Sequence, residues 1–258
     1  MTSGPLVHFV GAGPGDPQLL TLKGKGLIEA ADVIVFADSL VSPDVCQFAK
    51  PEAEVHGSST LTLEQTMELM LAAVRAGKRV VRLQSGDPSI YGAINEQIAI
   101  LDREGVAYEI VPGVSSAFAA AARLGVEMTV PNVSQTVILT RRSGRASAVP
   151  AKEELTSLAA HRATMAIFLS AAMMGKVVRD LIAAGYPSET PCCVVYKVSW
   201  PDEKIVRGTL ADVGRKVRAA RFTRQAIILV GEAFGARSGE RSRLYAEDYT
   251  HLFRGKGA

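Results

Sequence analysis

The sequence predicts an α/β protein built as two α/β domains, the first around a mostly parallel sheet and the second around a mixed one, with the ligand cleft between them. Three observations predict this. Short apolar strand patterns alternate with helical patterns through the first half. Glycine- and proline-rich loops close the strands. After a looser segment from Pro112 to about Asn132, the alternation restarts. The expected boundary lies near Val130, giving domains 1–130 and 131–258.

The elements follow in order. Leu6–Val10 reads as a strand, and Thr21 caps a helix running to about Ala31. Val33–Ala37 is a second apolar strand. Leu63, Met67, Met70, Leu71 and Val74 share one helical face that Gly77 ends. Arg79–Leu83 is the next strand, Ile94–Glu104 a helix closed by Gly105, and Tyr108–Val111 a strand halted by Pro112-Gly113. The alanine-rich stretch Ala117–Ala122 reads as a helix. In the second half, Thr136–Thr140, Thr164–Phe168, Val194–Lys197, Lys204–Arg207 and Ala226–Val230 read as strands, and Gly175–Ala184 and Leu210–Ala219 as helices. Ser199-Trp200-Pro201-Asp202 is a hairpin-like turn.

Composition narrows the function. The 258 residues, 48% of them hydrophobic, are enough for a buried core. No apolar run approaches the roughly 20 residues of a membrane span, and no export leader is legible. Three cysteines, Cys46 and the adjacent Cys192 and Cys193, do not form a disulfide framework, and a reducing cytoplasm is the expected location. A net charge of +3 lacks the dense basic stripe of a nucleic-acid binder but suits an anionic small molecule. The histidines His8, His56, His161 and His251 have no metal-ligand spacing, so no metal is expected.

Two Gly-Asp loops carry the functional signal. Gly11-Ala12-Gly13-Pro14-Gly15-Asp16 follows the first strand, and Ser85-Gly86-Asp87-Pro88 follows Arg79–Leu83. Loops at the carboxyl ends of parallel strands converge on a ligand crevice. The first loop imitates a dinucleotide fingerprint, with Asp38 as the acid. It fails that test because Asp16 occupies the third glycine position and Pro14 and Pro17 remove backbone donors. Asp87 is either a turn former or an acceptor for a hydroxyl or amine, and Ile90-Tyr91-Gly92 adds an apolar wall. Ser115 and Ser116 cap the alanine-rich helix or line a pocket. Arg141, Arg142 and Arg145 cluster at a strand end, where guanidinium forks suit carboxylates. Phe168-Leu169-Ser170 closes another strand. No nucleophile elbow or Walker loop is present.

Four ordered segments, V-G-A-G-P-G-D-P from Val10, A-D-x-x-V-x-A-D-S-L-V-S from Ala31, V-R-L-x-S-G-D-P-S-I-Y-G-A from Val81 and V-P-G-V-S-S from Val111, resemble the tetrapyrrole methylases. These are the S-adenosylmethionine-dependent methyltransferases of corrin and sirohaem synthesis, and the resemblance covers nearly the whole chain. Phe36–Ser42, Gln135–Arg141 and Val195–Lys204 are similar to corrin methylases. The uroporphyrinogen-III enzymes instead carry Tyr-Asp-Arg at Ala37, Asp38 and Ser39 and Gly-Gly-Asp at Ser85-Gly86-Asp87.

The resemblance implies the family's two-domain fold in a homodimer, S-adenosylmethionine as cofactor with S-adenosylhomocysteine as product, and an anionic tetrapyrrole substrate. It implies cofactor contacts at Pro14, Gly86, Asp87, Ile90, Ser115, Ser116, Leu169 and Ala226, and Asp38 as a candidate base or substrate-orienting group. The first loop (Gly13, Gly15, Asp16) would then face the tetrapyrrole, with Arg141, Arg142, Arg145 and Lys197 as anchors for its carboxylates. The lysine that serves as proton donor in relatives has no counterpart, the aligned stretch being His56-Gly57-Ser58-Ser59. The rival expectations are a methylase acting on another ring carbon, a family member acting on protein or RNA, a non-enzymatic tetrapyrrole carrier, and a dinucleotide oxidoreductase.

Overall fold

The computed structural model describes residues 7–144, 148–235 and 249–250. The chain divides into two compact units. The first runs through Arg123 and includes Lys197–Lys204; the second is Leu124–Tyr196 with the chain from Ile205 onward.

In the first unit, β1 (Val7–Gly11), β2 (Val33–Phe36), β3 (Glu54–Gly57), β4 (Val80–Gln84) and β5 (Tyr108–Val111) form one sheet in the order β3-β2-β4-β1-β5. All four strand pairings are parallel. Burial on both faces explains the near-continuous apolar runs. One face packs Val7, Phe9, Val33, Val35 and Val80 against α2 (Leu63–Arg75) and α3 (Ile94–Arg103). The other packs Val10, Ile34, Val81, Leu83 and Val111 around Ile28 of α1 (Leu22–Ala30). Thr21 caps α1 through the Gly24 amide, and Thr62 with Gln65 forms a capping box on α2. The helix α4 (Ser116–Leu124) follows β5.

The second unit holds β6 (Val137–Arg141), α5 (Leu155–Ala159), β7 (Thr164–Phe168), α6 (Met174–Ala183), β8 (Pro191–Tyr196), β9 (Lys204–Thr209), α7 (Val213–Ala220) and β10 (Ala226–Val230). Its sheet order is β6-β7-β10-β8-β9. β6 runs parallel to β7, while β10 is antiparallel to both β7 and β8, so the sheet is mixed as expected. Met165, Ile167, Val177, Leu181, Val194, Val213 and Ile228 form its core.

Two elements escaped the sequence reading. β3 is an edge strand with little buried surface, so Glu54-Val55-His56-Gly57 carries no apolar pattern. α5 is five residues long, too short for a helical period to register. α7 begins three residues after the expected Leu210, whose amide instead bonds the Thr190 carbonyl. Among the described residues, no helix is long and apolar enough to cross a membrane.

Candidate active site

The loops that follow β1, β4 and β5, three neighbouring strands, interlock at the carboxyl edge of the first sheet. Gly13 and Gly86 form an isolated antiparallel bridge, each amide donating to the other's carbonyl at 3.2 and 2.8 Å. Gly86 sits at φ +64°, a conformation few side chains tolerate. Asp87 ties in the third loop. One carboxylate oxygen accepts from the Gly113 amide at 2.9 Å, and the other from the Ser89 amide at 2.8 Å and the Ser89 hydroxyl. Burial pushes the Asp87 carboxyl up, but the bonds from Ser89 and Gly113 outweigh it and hold the group below the usual carboxylate range.

The expected site residues on these three loops thus come together. Pro14, Gly13, Gly15 and Asp16 lie on one loop, and Gly86, Asp87 and Ile90 on the next. Ser115 is buried and caps the start of α4 through the Ala117 amide, and Ser116 opens that helix. Asp16 caps a short 3-10 turn through the Gln18 amide. Tyr91 and Ala93 on either side of Gly92 both adopt left-handed backbone. Strain of this kind gathers at ligand sites, where the surrounding structure over-determines it.

Asp38 is exposed just past β2. Its two oxygens accept from the amide and hydroxyl of Ser59 at 2.7 and 2.6 Å. The Ser59 hydroxyl is the main reason that its carboxyl lies below the ordinary value. A Cβ on Gly57 would lie 2.8 Å from the Asp38 carboxyl carbon, so glycine lets β3 pass this close. Asp38 is therefore a fixed anion and a weak base. Removing the hydroxyl with Ser59→Ala should raise the Asp38 pKa. The acid limb of the kcat/KM–pH profile should move to higher pH with little change at neutral pH; an unmoved limb would exclude Asp38 from the pH dependence.

In the second unit, Leu169 follows β7 with φ 52° and is 62% exposed, an unusual placement for a bulky apolar side chain. Ala226 opens β10, whose antiparallel register with β7 (Ile228↔Ile167) runs toward these two residues. Leu169 and Ala226 thus fall at the same end of adjacent strands. Arg141 ends β6, and one guanidinium nitrogen donates to the Ala148 carbonyl at 3.1 Å. Arg142 is held by Asp180 on α6 and donates its amide to Ser170 Oγ. Its charge is neutralised within the fold, so Arg142→Ala should cost about 1–2 kcal/mol of stability. The substrate KM should barely change; a large rise with unaltered stability would make Arg142 an anchor. Arg145 lies outside the described residues. Lys197 belongs to the first unit, where it pairs with Asp202 at 2.7 Å.

A family model of the tetrapyrrole (corrin/porphyrin) methylases matches residues 6–214. The chain belongs to this family. Among curated relatives, the cobalt-precorrin-4 C(11)-methyltransferase of Methanocaldococcus jannaschii is 52% identical over 96% of this chain and 95% of its own. The precorrin-4 C(11)-methyltransferase of Pseudomonas aeruginosa is 48% identical over 96% and 98%. Among solved structures, a cobalt precorrin-4 methyltransferase of cobalamin biosynthesis matches with a TM-score of 0.86 at 51% identity, over 88% of this chain and 95% of that one. A uroporphyrin-III C-methyltransferase from Thermus thermophilus complexed with S-adenosylhomocysteine matches with a TM-score of 0.73 at 29% identity, over 88% and 97%.

Three features of this methylase were not legible beforehand. Ser59, noted only in the stretch where relatives carry a lysine, fixes Asp38. Arg82 reads as part of an apolar strand. It is 7% exposed on β4 and donates to Ser58 Oγ at 2.9 Å and Gln97 Oε1 at 3.3 Å. Burial lowers its pKa to about 10, partly opposed by the Asp38 charge. Gln84, two residues on and so on the same face of β4, buries an amide nitrogen that has no hydrogen-bond partner among the described residues. The third feature is the contact of the expected Ser199–Asp202 turn with the first glycine-rich loop. The one available signal was a charged residue, Arg82, inside a strand otherwise buried on both faces.

Proposed function

We infer that this methylase transfers a methyl group from S-adenosylmethionine to C11 of precorrin-4, as the free ring or its cobalt complex, giving the corresponding precorrin-5 in corrin synthesis. The observation that carries the reading is near-full-length identity of about half to two relatives that share the C11 name and differ over cobalt.

The chain's residues fit the cofactor. Pro14, Pro17 and Pro88 leave the loops poor in the amide donors that a pyrophosphate needs, and S-adenosylmethionine has no phosphate. The glycines at Gly13 and Gly86 let backbone approach a ligand closely. In this reading the cofactor contacts are Pro14, Gly86, Asp87, Ile90, Ser115, Ser116, Leu169 and Ala226.

Bound there, S-adenosylmethionine supplies an electrophilic sulfonium methyl that an electron-rich ring carbon can attack in line. The protein's task is to hold that carbon at near-attack distance and keep water out, a contribution that reaches about 7–11 kcal/mol in well-oriented systems. Asp38, a fixed anion, orients the substrate rather than abstracting a proton with force. Gly13, Gly15 and Asp16 present the first loop to the ring, and Arg141 meets its carboxylates. A homodimer is part of this reading and is tested by sedimentation.

The deciding experiment is methyl transfer from carbon-13-labelled S-adenosylmethionine to precorrin-4 and to cobalt-precorrin-4, with the new methyl located by NMR. Label at C11 of either ring supports the reading, and the faster ring identifies the substrate. Label at another carbon replaces the regiochemistry. Tight binding of both rings without transfer identifies a carrier.

A further inference from the structure

Among the described residues after Leu124, Lys197–Lys204, the turn between β8 and β9 with the first residue of β9, groups with the first unit. The turn grips the first glycine-rich loop. Its Trp200 indole N–H donates to the Pro14 carbonyl at 2.9 Å. Its Ser199 hydroxyl accepts from the Asp16 amide at 2.9 Å. One bond fixes the peptide before Gly15 and the other the peptide after it. Between them the indole lies against Gly15, where a Cβ would meet the ring's Cδ1 at 2.2 Å. Gly15 is therefore glycine because Trp200 occupies its side-chain space.

The turn is itself held in an uncommon shape. Lys197 and Ser199 have φ of 47° and 63°. Glu203 accepts from the Ser199 amide at 2.7 Å and from Arg123 Nε at 2.8 and 3.1 Å. Asp202 pairs with Lys197, whose ammonium lies 4.9 Å from the centre of the Trp200 ring. Non-glycine residues persist in left-handed backbone only where their surroundings over-determine it, and such sites are commonly functional. A plain β-hairpin connection needs none of these ties.

We propose that this turn is a clasp that sets the shape of the substrate loop, with Trp200 and Ser199 as positioning residues for the tetrapyrrole. The proposal rests on the reading of Gly13, Gly15 and Asp16 as substrate-facing. The clasp acts on the loop's backbone alone. Loosening it should therefore weaken tetrapyrrole engagement more than cofactor binding, because, of the cofactor contacts, only Pro14 lies on this loop while Gly86, Asp87 and Ser115 lie on others.

The test uses the full chain with Trp200→Phe, which keeps a ring against Gly15 and loses the N–H, with Trp200→Ala, which loses both, and with Ser199→Ala, which frees the Asp16 amide. Hydrogen exchange of amides 11–16 in the ligand-free protein is read first, and steady-state kinetics with the precorrin-4 ring second. The clasp requires faster exchange at Asp16 in Ser199→Ala. It also requires a tetrapyrrole KM raised about three- to tenfold in Trp200→Phe and Ser199→Ala, and further in Trp200→Ala. The S-adenosylmethionine Kd should rise less than the tetrapyrrole KM in each variant, because, of the cofactor contacts, only Pro14 lies on the clasped loop. Unchanged exchange overturns the clasp. Faster exchange with an unchanged KM, or with a cofactor Kd that rises in step, overturns the positioning role. Faster exchange in a protein whose wild type methylates neither ring supports the clasp and overturns the reaction assigned above.

Discussion

Gly113→Ala should destabilise the protein by about 3 kcal/mol or more and abolish methyl transfer. A Cβ at Gly113 would lie 2.2 Å from the Gly86 carbonyl oxygen and 2.7 Å from the Gly11 Cα. Gly11 meets the same barrier from the other side, its Cβ position being 2.5 Å from the Gly113 amide. Every atom in the way is backbone, so no rotamer change relieves the clash; β1 or the β4 loop must move. Overpacking of side chains typically costs about 1–3 kcal/mol because neighbours give way, and a backbone neighbour gives less. Against a total stability of about 5–15 kcal/mol, that is a large share. Gly26→Ala is the control. Gly26 lies inside α1 with open space where its Cβ would point, so alanine should stabilise by about 0.5–1 kcal/mol. Urea unfolding of both variants checks the pair. A Gly113→Ala protein within about 1 kcal/mol of wild type would show that the three strand ends are not as close as described.

The sequence pattern was most legible where residues are buried in register. Thr164–Phe168 and Ala226–Val230 match the observed strands end to end, because a buried strand shows as a near-continuous apolar run bounded by turn residues; Tyr108–Val111, mostly unburied and with Glu109 inside it, matches because Pro112-Gly113 ends it. Thr21 and Gly77 mark helix ends because capping and left-handed backbone are local demands. The loop pair was legible for the same reason. Glycine at 13 and 86 answers a local backbone requirement, although the bridge between the two loops is not visible in either alone. What failed was non-local. Ser59 meets Asp38 across 21 residues, and Ser199 and Trp200 meet the first loop across more than 180. Their partners are fixed by which strands neighbour each other. Arg142 shows the same limit from the other side, since its pairing with Asp180 on α6 is not visible in the strand-end sequence.

Asp87→Asn should lower kcat/KM for S-adenosylmethionine by about ten- to a hundredfold and change how stability depends on pH. The carboxylate has amide donors on both oxygens, Gly113 on one side and Ser89 on the other. Asparagine offers one acceptor and one NH2, so one of those N–H groups must face another donor. Losing a hydrogen bond to a charged acceptor costs about 1.5–3 kcal/mol, and the tie between the second and third loops is the bond at risk. The sign of the pH effect follows from the depressed Asp87 pKa. Its folded value lies below its unfolded one, near 3.9, so between the two the unfolded chain binds more protons. The contribution is fully present above about pH 4 and fades as the pH falls through the folded value. Wild type should therefore exceed Asp87→Asn in stability at neutral pH, and the gap should close on acidification. Asp32, Asp38 and Asp212 also have depressed values but are common to both proteins, so they cancel in the difference. A gap independent of pH would mean that the Asp87 charge does not strap the loops together, and the cofactor reading of Gly86 and Asp87 would lose its physical basis.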